Sequence, residues 1–148
     1  MIELKIVCED EKYLPRYANA TDACMDLRVK VNSAKTVIPA GCTQVFGTGI
    51  KVAIPEEHVM LMYPRSSTGI KMNCMLSNTT GVIDSGYRDE IKLSITNFGK
   101  QPVVLSDGQR VAQFLIIPRP VIELIHVKDD EDFKNGDRGG GIGSSGTN

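Results

Sequence analysis

Apolar residues recur at every second position along much of this chain, and that period constrains its fold more than any other feature. Ile2, Leu4 and Ile6 alternate with Glu3 and Lys5, and Met25, Leu27, Val29 and Val31 alternate with Asp26, Arg28 and Lys30. Ile50, Val52 and Ile54 repeat the pattern, as do Ile91, Leu93 and Ile95 against Lys92, Ser94 and Thr96. A period of two places one set of side chains on one face of a β-strand, whereas an amphipathic helix needs a period near 3.6. Residues 111–117 and 121–127 are more continuously apolar, so they are expected to be strands with greater burial. Turn formers separate the runs at Pro39-Ala40-Gly41, Pro55, Pro64, Gly99, Gly108 and Pro118. Many short strands divided by such turns predict an all-β, distorted barrel or sandwich. One short helix is expected over residues 66–72, just after Pro64.

With 148 residues the chain is one domain's worth, enough to bury a core without staples. The composition changes near its end. Residues 1–128 carry the strand pattern, while residues 129–148 run from Asp129-Asp130-Glu131-Asp132 into a Gly- and Ser-rich stretch. That tail has too little apolar surface to offset its own ordering entropy. Composition leaves open whether it is a frayed end or an arm that orders over a ligand. A formal net charge of -1 supplies no basic field for nucleic acid or an anionic membrane. No apolar run is long enough to span a bilayer, and Glu3 near the start does not suit a signal peptide. A cytoplasmic setting is expected, in which the sequons at Asn19 and Asn78 carry no weight. Cys8, Cys24, Cys42 and Cys74 contain no Cys-x-x-Cys pair, so a zinc site of usual spacing is not expected. They are expected to be free thiols acting as small hydrophobes.

Three clusters carry possible chemistry. Gly141-Ile142-Gly143-Ser144-Ser145-Gly146 matches the Gly-x-Gly-x-x-Gly pattern, but only two residues follow it. A dinucleotide fold needs a helix to open there, so that reading fails. What remains is Arg138 with glycine N–H groups and the hydroxyls of Ser144, Ser145 and Thr147, a possible clamp for phosphate. Pro64-Arg65-Ser66-Ser67-Thr68-Gly69 is a second candidate: a helix starting after Pro64 would aim free N–H groups at an anion, or its serines would simply cap it. The third is Gly81-Val82-Ile83-Asp84-Ser85-Gly86-Tyr87. A carboxylate at a hairpin bend can orient and deprotonate water, and a tyrosine can lie flat on a sugar. Taken alone, this pattern is as readily structural.

In order along the chain, these clusters resemble the five motifs of the trimeric dUTPase family. The motifs are Asp22-Ala23-Cys24-Met25-Asp26-Leu27, Pro64-Arg65-Ser66-Ser67, Gly81-Val82-Ile83-Asp84-Ser85-Gly86-Tyr87-Arg88, Gly108-Gln109-Arg110-Val111-Ala112-Gln113, and Arg138-Gly139 with Ile142-Gly143-Ser144-Ser145-Gly146. The resemblance implies a β-clip, jelly-roll-like subunit in a homotrimer with three shared sites, each closed by the C-terminal arm of another subunit. It implies hydrolysis of dUTP to dUMP and pyrophosphate, which removes dUTP and supplies dUMP for thymidylate synthesis. Carried over, Asp84 activates the attacking water and Tyr87 lies against the deoxyribose. Main-chain groups of Gly81, Val82 and Ile83, with Asn78 nearby, read uracil. Arg65, Ser66, Ser67, Gln113, Arg138, Gly143, Ser144 and Ser145 hold phosphates, Ile142 faces the base, and Asp26 places Mg2+ through its water shell.

This chain departs from the family pattern in three places. Ile142 stands where an aromatic residue is usual, and the fifth motif is one residue short. Gly86 occupies a position that is commonly acidic, and Asp89 one that is commonly glycine. The related dCTP deaminases resemble it in fold and Arg-Ser-Ser motif, but they require a Glu where this chain has Ser94 and an Arg where it has Ile70. A regulatory binding protein on the same scaffold is the other alternative, separable by whether the chain releases pyrophosphate from dUTP.

Overall fold

The computed structural model describes residues 1–128 and Gly136. Among them are eleven strands and one α-helix, so the β architecture expected from the period-two pattern is the one found. The strands are β1 (Lys5–Cys8), β2 (Met25–Arg28), β3 (Lys35–Ile38), β4 (Thr43–Gly47), β5 (Ile50–Ala53), β6 (His58–Pro64), β7 (Cys74–Leu76), β8 (Gly81–Ile83), β9 (Lys92–Asn97), β10 (Val103–Ser106) and β11 (Arg110–Pro118). Helix α1 (Ser66–Ile70) is shorter than expected, and a single 3-10 turn spans Glu11–Tyr13.

Pairing is antiparallel throughout. A four-stranded sheet runs β2-β11-β6-β8, a three-stranded sheet runs β4-β9-β7, and two ribbons pair β1 with β5 and β3 with β10. Between these layers lies the core that the alternation specifies. Leu27, Val29, Ile50, Val52, Ile54, Ile91, Leu93 and Ile95 are all buried, joined by Met60, Met62, Ile38, Leu105, Val111 and Phe114 from strands with less regular patterns. At about 25 cal/mol per Å2 of apolar surface, each such side chain contributes roughly 1.5–3 kcal/mol.

Residues 121–127 are not a buried strand, and that expectation is corrected. They form no strand, and Val121, Ile122, Leu124 and Ile125 are more than 70% exposed. A strand exists only where another supplies its hydrogen bonds, and this segment, following Pro118 and Pro120, has no such neighbour among the described residues. All four cysteines are free as expected, but only Cys74 is buried and Cys42 is exposed.

Among the described residues no helix is long and apolar enough to cross a membrane.

Candidate active site

The first, second and fourth motifs converge on one cavity of about 380 Å3, lined by Asp22, Cys24, Asp26, Arg65, Ser66 and Gln113 together with Ala18 and Ala23. Strand register explains the convergence. Asp26 of β2 lies opposite Gln113 of β11, and Ala112 lies opposite Pro64 at the end of β6, from which the chain passes straight into Arg65 and α1. Asp26 is only 8% exposed although it sits on the polar side of an alternating strand. Its burial is offset by two guanidinium groups: Arg65 Nε reaches Oδ1 at 2.7 Å and Arg110 donates to Oδ2 at 2.9 Å. Residues 110 and 113 would face opposite sides of a regular strand. A register shift between Arg110 and Ala112 breaks that parity and brings both to Asp26.

Arg110 is the residue that reading by motif left without a role. Its signal was its place in Gly108-Gln109-Arg110, but its partner is 84 residues away in sequence. Gln113 donates to Pro64 O at 3.2 Å, which fixes its side chain beside the start of α1. No side chain caps α1, and its first turn closes through Thr68 N–H and Gly69 N–H onto Arg65 O. The serines therefore do not serve as caps. Ser66 is exposed at the cavity, while Ser67 is half-buried and outside its lining.

The third motif lies elsewhere. β8 is the edge of its sheet, pairing only with β6, so its outer N–H and C=O groups have no strand partner among the described residues. Val82 on this edge is 59% exposed. Gly81 packs closely: a Cβ there would stand 2.5 Å from the terminal methyl Met62 Cε, which would have to shift, and 3.7 Å from Asn78 Nδ2. The latter distance also places the Asn78 amide beside the edge. After Ile83 the chain bends through a β-turn closed by Tyr87 N–H donating to Asp84 O at 3.1 Å. The expected hairpin is corrected here. No returning strand pairs with β8, and the turn instead carries the chain across to β9 in the other sheet. Asp84 is exposed on this turn, and the half-buried Tyr87 donates its hydroxyl to Glu90 O at 2.8 Å.

The two groups of residues do not meet within one chain. Ile83, the last paired residue of β8, is level with Met60, and extending that line by one residue puts Asp84 level with Val59, whereas Gln113 is opposite Tyr63. Four residues of rise, about 13 Å, and two strand spacings, about 10 Å, separate them by roughly 16 Å. None of residues 81–87 lines the Asp26 cavity. Arg138, Ile142, Gly143, Ser144 and Ser145 lie outside the described residues.

Among the described residues no three His, Cys, Asp or Glu side chains cluster as a metal cage. Magnesium does not need one, because it keeps several waters and is commonly held through one or two carboxylates plus substrate phosphates. Asp26 fits that role. Each of its oxygens accepts from one guanidinium, which leaves acceptor capacity toward the cavity for a metal-bound water, and Asp22 adds a second carboxylate to the lining.

A family description, dUTPase, matches residues 10–146. The chain belongs to the dUTPase family. Among dUTPase relatives, the deoxyuridine 5'-triphosphate nucleotidohydrolase of Caldanaerobacter subterraneus subsp. tengcongensis is 38% identical over 130 residues, 86% of each chain. The crystal structure of a dUTPase from Streptococcus mutans matches with a TM-score of 0.72 at 30% identity, covering 81% of this chain and 98% of that one. A mutant Staphylococcus bacteriophage 80alpha dUTPase, solved with dUpNHpp, has the same fold, with a TM-score of 0.83 over 98% and 99% of the two chains at 23% identity.

Proposed function

We propose that this chain hydrolyses dUTP to dUMP and pyrophosphate in a homotrimer whose sites are each built from more than one subunit. The observation that carries the reading is the roughly 16 Å gap between two halves of one site in a chain of the dUTPase family. The Asp26–Arg65–Gln113 cavity is polar and offers the Arg65 guanidinium, the Ser66 hydroxyl and the Gln113 amide as donors for phosphates. The β8 edge and its turn offer main-chain donors and acceptors with a carboxylate and an aromatic ring. A second copy brings one chain's turn to another chain's cavity. The exposed apolar residues of 121–127 support such an assembly, since a patch of that kind marks a surface that another chain covers.

In this reading the open edge of β8 pairs with uracil as a strand would, through the main chain of Gly81, Val82 and Ile83, with the Asn78 amide alongside. Tyr87 packs flat on the deoxyribose and leaves no room for a 2′-hydroxyl. Arg65, Ser66, Ser67 and Gln113 bind phosphate oxygens from one subunit. Residues 129–148 act as the arm that closes over the site, bringing Arg138, Gly143, Ser144 and Ser145 to the phosphates and Ile142 over the base. Asp84 orients a water in line with the α-phosphorus and accepts its proton as the new P–O bond forms and pyrophosphate departs. Mg2+, held by Asp26 through water, supplies charge neutralisation of the phosphates when bound.

Pyrophosphate release from dUTP, dTTP, UTP and dCTP, with and without Mg2+, tests the assignment. Turnover of dUTP far above the other three, lost with a chelator, is expected. Ammonia release from dCTP, or no pyrophosphate from dUTP, overturns it.

A further inference from the structure

The Tyr87 ring is held from behind by a chain of hydrogen bonds that ends on the turn between β4 and β5. Its hydroxyl donates to Glu90 O at 2.8 Å. The Glu90 carboxylate in turn accepts Gly49 N–H through Oε1 at 2.8 Å and stands 3.9 Å from Lys30 Nζ. The next residue is fastened to the same turn twice. Ile91 N–H donates to Ile50 O at 3.0 Å, and the buried Thr48 hydroxyl donates to Ile91 O at 2.7 Å. The anchoring turn is itself pinned. Gly49 has φ of 71°, and a Cβ there would stand 2.6 Å from the ring of buried Tyr13, so only glycine fits. A Cβ on Gly47 would meet the Glu90 carboxylate. On its other side Glu90 borders a polar cavity of about 500 Å3 shared with Lys30, Asn32 and Gln44. Close packing does not confine the carboxylate there, so its hydrogen bond to Gly49 does.

We infer that Glu90 is a positioning residue for sugar selection: bonded to Gly49, it fixes the carbonyl that anchors the Tyr87 hydroxyl and so sets how close the ring stands to the sugar. This rests on the proposed placement of Tyr87 against deoxyribose. It adds that selection depends on the hydroxyl and its anchor as well as on the ring. Phenylalanine presents the same flat face, but among the described residues none pairs in a ladder with 84–89 to steady it. A ring without its anchor is free to tilt away and admit a ribose.

The test is the ratio of kcat/KM for dUTP over UTP, measured by pyrophosphate release on the full chain, with the melting temperature of each variant as a check on folding. Loss of one such hydrogen bond corresponds to roughly a two- to tenfold fall in that ratio. Tyr87→Phe and Glu90→Ala are expected to show it, through a lower KM for UTP. Glu90→Gln keeps an oxygen acceptor for Gly49 N–H and is expected to restore the wild-type ratio. Tyr87→Leu, which removes the ring, is expected to fall furthest. If Tyr87→Leu falls while Tyr87→Phe and Glu90→Ala keep the wild-type ratio, the anchor is overturned and the sugar contact stands. If Tyr87→Leu also keeps it, the placement of Tyr87 fails and takes this inference with it. A Glu90→Gln variant as relaxed as Glu90→Ala rules out the bond to Gly49. Should Glu90→Ala fail to fold, Tyr87→Phe removes the anchored hydroxyl alone, and a wild-type ratio there overturns the anchor.

Discussion

Mixing two inactive variants should create active enzyme, and by a calculable amount. In the Asp84→Asn variant the proposed water-activating carboxylate is gone. In Arg65→Met a proposed phosphate ligand is gone, yet Asp26 keeps its contact with Arg110 at 2.9 Å, so its buried charge is not orphaned. A general base has to stand within hydrogen-bond reach of its water, about 2.6–3.2 Å. Extending the sheet register puts Asp84 roughly 16 Å from Gln113 of the same chain, so in the proposed assembly the Asp84 serving a given cavity comes from a neighbour. When the variants are unfolded together at equal amounts and refolded, a site is intact if its Arg65 comes from an Asp84→Asn chain and its Asp84 from an Arg65→Met chain. Each has a probability of one half, so about one quarter of wild-type turnover should return from parents that have almost none. Varying the proportions should trace a curve with its maximum at equal amounts, read by pyrophosphate release. Activity that never exceeds the sum of the parents would refute the reasoning, because it would mean that both groups act within one chain.

Three further outcomes follow from individual residues. Burial pushes the Asp107 carboxyl up, but hydrogen bonds from Lys12, Val31 N–H and Tyr13 outweigh it and hold the group at about 2, below the usual 3.8. A value lowered by folding stabilises above the unfolded value and ceases to as pH falls through the folded one. Asp107→Asn should therefore melt below wild type at neutral pH, with the gap closing between about pH 4 and pH 2. Asn97 is fully buried and bonds Ile38 O, Gln101 O and Gly99 N–H. Asn97→Ala removes all three bonds and leaves a cavity, and a loss of about 3 kcal/mol is expected in urea unfolding at matched protomer concentration. Ile142→Phe restores the aromatic residue usual in the fifth motif and should lower KM for dUTP; an unchanged KM would deny Ile142 a place over the base.

How much of the site was legible depended on whether its residues act locally. The Arg65-Ser66-Ser67 and Gly81–Ile83 stretches could be found because each packs its chemistry into a few consecutive residues. Arg110 was quoted but given no task, because its partner Asp26 is adjacent only through the β2–β11 pairing and its direction is set by a bulge that leaves no mark in the hydrophobic pattern. Glu90 had no signal at all, since its value lies in the Gly49 N–H it meets across two loops. The expected hairpin failed for a related reason: turn residues announce a reversal, but which strand receives the returning chain is decided by the sheets it joins.

The sequence by itself determined that this chain is built of strands, which face of most strands is apolar, and which short segments carry the family's motifs. These follow from local rules, the two-residue pleat and the backbone freedom of single residues. Tertiary structure alone decided that Asp26 lies buried between two guanidinium groups, that the Tyr87 hydroxyl is bonded to Glu90 O, and that residues 121–127 find no strand partner among the described residues. Only the register places Asp84 far from the cavity it is proposed to serve. Pairing register and inter-sheet packing are non-local sums over many contacts, so no single segment contains them.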